Sequence, residues 1–208
     1  MKRLRPFPVR GNLLVALAGN PNGGKSTLLR QHTGNWPGKT VALAWGEFFY
    51  QGYRVNLVDL PGTYSLWACL PEEEVARDFI FSQKAQALVI VADATCLERS
   101  LNLVFQIGEV TSRSILCLNC MDEARRRGLI IDEEGLSREL EIPVVPTVAL
   151  TGEGLEALKK AIVEVATGRL KPCPQKVYYG EEVEEILSRA SSRWEGLKAL
   201  MGGCPWRG

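Results

Sequence analysis

Eight residues near the start of the chain, Gly19-Asn20-Pro21-Asn22-Gly23-Gly24-Lys25-Ser26, have the types and spacing of a loop that wraps phosphate. The pattern G-x-x-x-x-G-K-[ST] follows the apolar run Leu13 to Ala18 and leads into the helix-like Ser26-Thr27-Leu28-Leu29-Arg30. Strand, loop and helix thus come in the order the chemistry needs. Glycines let backbone N–H groups turn inward around a phosphate chain. Lys25 brings a point charge to the β- and γ-phosphates, and the Ser26 hydroxyl can hold Mg²⁺. An ordinary glycine-rich βα turn has no need of the Gly-Lys-Ser ending.

Groups farther along the chain can complete such a site. Val58-Asp59-Leu60-Pro61-Gly62 ends a strand-like run with D-x-x-G. Asp59 would then hold Mg²⁺, directly or through water, and the Gly62 N–H would face the γ-phosphate. Thr40, between the first helix and the second strand, is the natural hydroxyl for a switch segment closing over the metal. Asn119-Cys120-Met121-Asp122 supplies a base reader, because a carboxylate accepts two hydrogen bonds from guanine N1–H and its 2-amino group, which adenine cannot offer. GTP is therefore favoured over ATP. The usual motif is N-K-x-D, whose lysine stem covers one purine face; Cys120 replaces it, so the face is less covered and GDP is expected to leave quickly. In the run from Thr147 through Val148, Ala149 and Leu150 to Gly152, the Ala149 N–H could reach guanine O6. The full set expected around the nucleotide is residues 19–27, Pro37, Gly38, Lys39, Thr40, Asp59, Gly62, Asn119, Met121, Asp122 and 148–150.

These residues must be positioned by an α/β framework. Apolar strand-like runs at 13–18, 41–49, 53–59, 87–92, 114–119 and 143–149 alternate with amphipathic segments, which predicts a mostly parallel six-stranded sheet flanked by helices. Only Tyr50, Gln51 and Gly52 separate the second and third runs, so those strands form an antiparallel hairpin. One crossover helix is expected to start with a capping box at Thr95-Cys96-Leu97-Glu98, and another runs from Glu153 to Thr167-Gly168. Beyond Gly168 a proline-broken linker separates a G-domain-like part, residues 1–168, from an appendage, 169–208. A single helix over 180–201 carries Val183, Ile186, Leu187, Ala190, Trp194 and Leu197 on one stripe, which must be buried on something.

With 208 residues the chain can bury a sizeable core without staples. Its 25 basic and 24 acidic residues leave a charge of +1, too balanced for a general nucleic-acid binder. The longest apolar runs are strand-sized, so a soluble, cytosolic chain is expected. The six cysteines, Cys69, Cys96, Cys117, Cys120, Cys173 and Cys204, include one C-x-x-C without a second pair at zinc spacing. They read as small buried or loop residues, and the lone His32 as an unspecialised polar one.

The chain resembles the cytosolic GTPase domain of the ferrous-iron transport protein B family, FeoB. The strings that carry the resemblance are Gly19-Asn-Pro-Asn22, Asn35-Trp-Pro-Gly38 with Thr40-Val41, Asp59-Leu-Pro-Gly-Thr-Tyr-Ser-Leu66, Glu73-Glu-Val-Ala-Arg77, Asp93-Ala94, Leu97-Glu-Arg-Ser-Leu-Asn-Leu103 and Asn119 to Asp122, over roughly residues 12–167. It implies a Ras-like P-loop G domain that binds and hydrolyses GTP. It also implies a helical domain coupling this module to a transmembrane region that conducts Fe²⁺, on the cytoplasmic face of the membrane. A second copy of the chain is a further candidate partner. Ras-like proteins place Gln after D-x-x-G, whereas this chain has Thr63. The family uses K⁺ instead, bound by the asparagine matching Asn22 and by switch I carbonyls. The catalytic set so implied is Asn22, Lys25, Thr40 and Gly62.

Several positions depart from the family pattern. The segment between the first helix and Asn35 is several residues short, Lys39 stands where an apolar residue is usual, and Val148 replaces a serine. The first two touch the cation site, so K⁺ stimulation is expected to be reduced or lost, with Lys39 supplying part of the charge. Two other readings stay open: a soluble GTPase acting on RNA or a ribosome, and a nucleotide sensor that scarcely hydrolyses.

Overall fold

The structure, a computed structural model, describes residues 10–30, 43–67 and 70–200. In chain order the elements are β1 (Gly11–Gly19), α1 (Lys25–Arg30), β2 (Ala44–Tyr50), β3 (Tyr53–Asp59), α2 (Pro71–Phe81), β4 (Ala87–Asp93), a 3-10 turn (Ala94–Cys96), α3 (Glu98–Val110), β5 (Ser114–Asn119), α4 (Met121–Arg126), α5 (Glu133–Leu140), β6 (Val144–Pro146), α6 (Leu155–Ala166), α7 (Glu181–Arg189) and α8 (Arg193–Leu200). The sheet has the order β2-β3-β1-β4-β5-β6. β1 lies parallel to β3 on one side and to β4 on the other, and β5 and β6 continue parallel. Among the described strands β2 alone is antiparallel, as the short connection requires. Tyr50 and Tyr53 pair across it, leaving the two-residue turn Gln51-Gly52, in which both φ angles are positive.

Period-two alternation sorts the central strands onto two faces. Ala16, Ala18, Leu88, Ile90, Leu116 and Leu118 pack with Ile80, Leu103 and Ile107 of the α2–α3 side. Val15, Leu17, Val89, Val91, Ile115 and Cys117 pack with Leu28, Leu29, Leu158 and Ile162 of α1 and α6. Being covered twice explains why β4 and β5 read as unbroken apolar runs.

Four expectations need correction. The sixth strand is only Val144–Pro146, because the chain after Pro146 turns into a loop anchored by the Val148 N–H on the Glu153 carbonyl. No capping box forms at Thr95. The Asp93 carboxylate accepts from both the Thr95 N–H (2.8 Å) and its hydroxyl (2.7 Å), nucleating the 3-10 turn, and α3 then starts without a side-chain cap. α6 begins at Leu155, after Gly154 at φ 79°. The C-terminal stripe lies on two helices rather than one, since Ala190 turns extended (φ −79°, ψ 154°) and Ser191-Ser192 separate α7 from α8.

That break folds the appendage back onto the α2–α3 side of the sheet. Leu187, Trp194 and Leu197 join its core, with Trp194 stacked on Trp67 (centroids 4.5 Å) and tilted against Phe81 (5.0 Å). A polar clamp accompanies the apolar contact. Arg193 donates to Glu109 on α3 (2.7 Å) and to Glu184 on α7 (2.5 and 2.8 Å), while Glu109, its side chain only 1 % exposed, also accepts from the Val177 N–H. The linker is strapped beside it, with Lys176 donating to the Gly108 carbonyl and Pro174 packed where a side chain at 108 would sit.

Removing one partner of a buried ion pair leaves an uncompensated charge. Arg193→Ala is therefore expected to lower stability by about 3 kcal/mol in urea titrations followed by tryptophan fluorescence, against about 0.5 kcal/mol or less for the surface change Arg189→Ala. Hydrogen bonds from Arg193 and then from the Tyr179 N–H draw the Glu184 carboxyl down to about 2. A depressed carboxyl stabilises the fold fully above its ordinary 4.5 and ceases to as the pH falls through about 2. Acid titration should thus loosen the appendage within that window, and Glu184→Gln should remove this part of the pH dependence.

Candidate nucleotide site

Parallel strands leave their carboxyl ends at one edge of a sheet, and a crevice opens where connections leave β1 in opposite directions. The loop 19–24 lies at that point, between the ends of β3 and β4. Gly24 is held at φ +91°, and a Cβ there would stand 2.1 Å from the Asn119 amide nitrogen. Gly62 packs so closely that a Cβ would meet the Pro21 backbone at 2.9 Å. Asn22 also takes a positive φ, 66°, and is exposed at the loop tip.

Lys25 opens α1 and bends back over the loop, donating to the Gly19 and Asn20 carbonyls at 3.0 Å each. Burial lowers its pKa, against the opposing pull of Asp59. The Ser26 hydroxyl donates to Asp59 Oδ2 (3.0 Å), so the β3 end meets the loop as the spacing predicts. Burial raises the Asp59 pKa, opposed first by Ser26 and then by Lys25. The second oxygen, Oδ1, is buried without a hydrogen-bond partner. An acceptor removed from water without a donor, beside a serine hydroxyl, fits a hard divalent cation such as Mg²⁺.

Asn119 ties this half to the turn that carries Asp122. Its Nδ2 donates to the Gly23 carbonyl (3.2 Å) and its Oδ1 accepts from the Ala149 N–H (2.9 Å). The Ala149 N–H expected to reach a purine oxygen is thus engaged by Asn119. Cys120 turns left-handed (φ 62°, ψ 31°) and starts α4, whose first turn presents Asp122 with its side chain 43 % exposed and Arg126 3.8 Å away. Met121 and Val148 are buried supports, Thr27 lies on α1, and Leu150 is exposed at the rim. Pro37, Gly38, Lys39, Thr40 and His32 lie outside the described residues.

Side chains from several elements brace the loops. The Asn20 amide donates to the Arg99 carbonyl and to Ser100 Oγ (3.2 Å each), fixing the loop to α3. Thr63 is 1 % exposed, its hydroxyl donating to the Ser65 carbonyl (2.7 Å) and Glu73 (3.3 Å). It faces the protein and cannot orient a water. Gln106 accepts from the Leu66 N–H (2.6 Å) and Ser65 Oγ (3.0 Å), and Asn102 reaches the Tyr64 carbonyl. Nothing local in the sequence marks Gln106, because its partners lie on another element; Asn102 stands within the Leu97–Leu103 string, but its contact with residue 64 is not legible there.

A six-stranded sheet of this order, with a phosphate loop after β1, D-x-x-G after β3 and N-x-x-D after β5, defines a P-loop G domain. The model of the N-terminal region of ferrous iron transport protein B matches residues 13–162, and the chain belongs to the FeoB family. It is 42% identical over 214 residues to the Fe(2+) transporter FeoB of Escherichia coli K12 and 38% identical over 208 residues to that of Salmonella typhimurium. In each case 91% of the chain aligns but spans only 27% of the relative's length. The cytosolic domain of the T. maritima FeoB iron transporter in a GDP form superposes with a TM-score of 0.83 at 41% identity, covering 92% of this chain and 82% of that one. A mutant S. thermophilus NFeoB bound to GMPPNP gives 0.79 at 32% identity, covering 92% and 80%.

Gly24→Ala, which forces both a strained φ and a clash with Asn119, is expected to cost about 1–3 kcal/mol of stability. Guanine-nucleotide binding should fall with it in calorimetry, because the phosphate loop and the base loop are displaced together.

Proposed function

We propose that this chain binds GTP, hydrolyses it to GDP and phosphate, and thereby regulates ferrous-iron transport by an attached transmembrane region on the cytoplasmic side of a membrane. The observation that carries the reading is the meeting of Lys25, Ser26 and Asp59 at one end of the crevice and Asp122 at the other, joined through Asn119. The relatives' spans support the attached region, since most of their length lies outside the aligned part. Among the described residues no helix is long and apolar enough to cross a membrane.

In this mechanism Lys25 exchanges its two carbonyls for β- and γ-phosphate oxygens, and loop N–H groups hold the rest of the chain. Ser26, Asp59 and Thr40 would hold Mg²⁺, which would supply neutralisation of the phosphate charge. Water attacks the γ-phosphorus in line, and the Gly62 N–H steadies the developing negative charge. With Thr63 turned inward, the residue after D-x-x-G does not position that water, which supports slow turnover. Asn22 would hold K⁺ through its amide oxygen, and because the sequence between α1 and Asn35 is several residues short of the family pattern, K⁺ stimulation is expected to be reduced or lost. Asp122 selects guanine, and the small Cys120 leaves one purine face open, so GDP is released quickly.

Nucleotide state reaches the appendage through residues 60–67. These are fastened to α3 by Gln106 and to α8 by the Trp67–Trp194 stack. Loss of the γ-phosphate releases the Gly62 contact and shifts the stack.

Isothermal calorimetry with Mg²⁺ should show GDP and GTP binding and no preference for ATP, with affinity abolished by Lys25→Ala; preference for ATP would overturn the reading. Phosphate release measured with malachite green should be slow, little changed between KCl and NaCl, and little changed by Asn22→Ala. A strong K⁺ dependence lost in that variant would show a complete cation site.

A further inference from the structure

The sequence shows one close cysteine pair, Cys117 and Cys120, and the fold separates it. Cys117 is fully buried on the α1–α6 face of β5, its sulfur 3.2 Å from the Thr147 hydroxyl, and burial pushes its thiol up to about 12. A thiol so held is almost wholly protonated and inert. Cys120, one residue beyond β5, escapes this burial, because its left-handed backbone turns the chain out of the sheet.

A different cysteine comes near it. Asp93 and Asn119 are register partners at the ends of β4 and β5, a spacing of ~4.8 Å between neighbouring strands. The chain after Asp93 winds into the 3-10 turn ending at Cys96, and this turn packs against α4, which Cys120 caps. Both thiols are half-buried and unbridged. Cys96 also lines an open crevice of about 150 Å³ shared with Asn20, Asn22, Tyr64 and Arg99, behind the phosphate loop.

We infer that Cys96 and Cys120 are a redox pair whose disulfide ties the turn after β4 to the base-reading loop and weakens guanine-nucleotide binding. The nucleotide effect rests on the functional reading above; formation of the bridge does not. A disulfide needs Cα atoms roughly 4.4–6.8 Å apart, the scale of adjacent strand ends, so closing it takes a local shift of these half-buried turns rather than of the sheet. The oxidant is a small disulfide such as oxidised glutathione. The Cys96 thiolate, reached through the crevice, attacks one sulfur, forming a mixed disulfide and expelling one glutathione thiolate. The Cys120 thiolate then attacks the Cys96 sulfur and expels the second. Two protein thiols lose two electrons and two protons, and the small disulfide is reduced to two thiols. Cys96 is the thiol that lines the crevice and meets the small disulfide first; Cys120, whose pKa is raised by burial and then by the carboxylates of Asp93 and Asp122, resolves the mixed disulfide from within the fold. Cross-linked, Cys120 is drawn toward the 3-10 turn, carrying Asn119 and Asp122 on either side of it out of position.

The test uses the full chain with Cys69, Cys173 and Cys204 changed to Ser, treated with oxidised glutathione without denaturant. Tryptic mapping with fragmentation should find residues 85–99 joined to 114–125 through Cys96 and Cys120, reversibly with dithiothreitol. A Cys117–Cys120 bridge, a lasting glutathione adduct on Cys96, or no modification would each overturn the inference. Oxidation should weaken GDP binding roughly tenfold, within the usual range of coupling between sites, and should not do so in Cys96→Ser. Equal GDP affinity in oxidised and reduced forms refutes the regulatory half. Absence of GDP binding in the reduced protein refutes the functional reading instead, and the bridge is still judged by the peptide map.

Discussion

A single side-chain amide holds the site together. Asn119 ends β5 and reaches the Gly23 carbonyl with its nitrogen and the Ala149 N–H with its oxygen, so the phosphate loop, the base-reading turn and the loop after β6 are braced on one residue. Planar geometry makes this demanding: donor and acceptor lie on opposite corners of one rigid group, so neither loop can move without breaking a bond to a residue that is only 3 % exposed. Buried polar groups left unpaired cost more than they gain when paired. Gly24 has no side chain because the amide occupies that space.

The same logic runs outward along α3. One helix receives the phosphate loop through Asn20, residues 64–66 through Asn102 and Gln106, and the C-terminal helices through Glu109. These contacts lie on successive turns of a helix whose other face is buried against β4 and β5. A rigid element with polar partners along one side can pass a displacement from one partner to the next. The stack on Trp67 and the Arg193 clamp hold different elements: the aromatic contact joins the appendage to the segment after β3, and the ion pair anchors it to α3.

Much of this was legible in the chain. The six strands, the hairpin and the two-faced covering follow from apolar periodicity and connection length. The Lys25, Ser26 and Asp59 cluster follows from motifs whose residue types have few other uses. Where local patterns competed with tertiary partners, the patterns failed. Thr95 looks like a cap, but Asp93 lies closer in space and takes both its donors. Residues 180–201 keep a helical stripe across Ala190, yet the chain breaks there and Leu187, Trp194 and Leu197 are buried from two helices. Thr63 stands where a water-orienting group is usual, but the direction of its hydroxyl is set by Ser65 and Glu73.

The cysteines divide the two kinds of knowledge most sharply. Sequence by itself determined the loop of phosphate-binding type and the order of strand and helix, because these depend on residue type at short spacing. Only the tertiary structure decided that Cys117 is sealed in the sheet while Cys120 is turned out of it, and that the turn ending at Cys96 packs against the helix Cys120 caps. Side chains alternate across a strand, while parallel pairing brings together residues far apart in the chain, so nearness in sequence and nearness in space come apart at the end of a sheet.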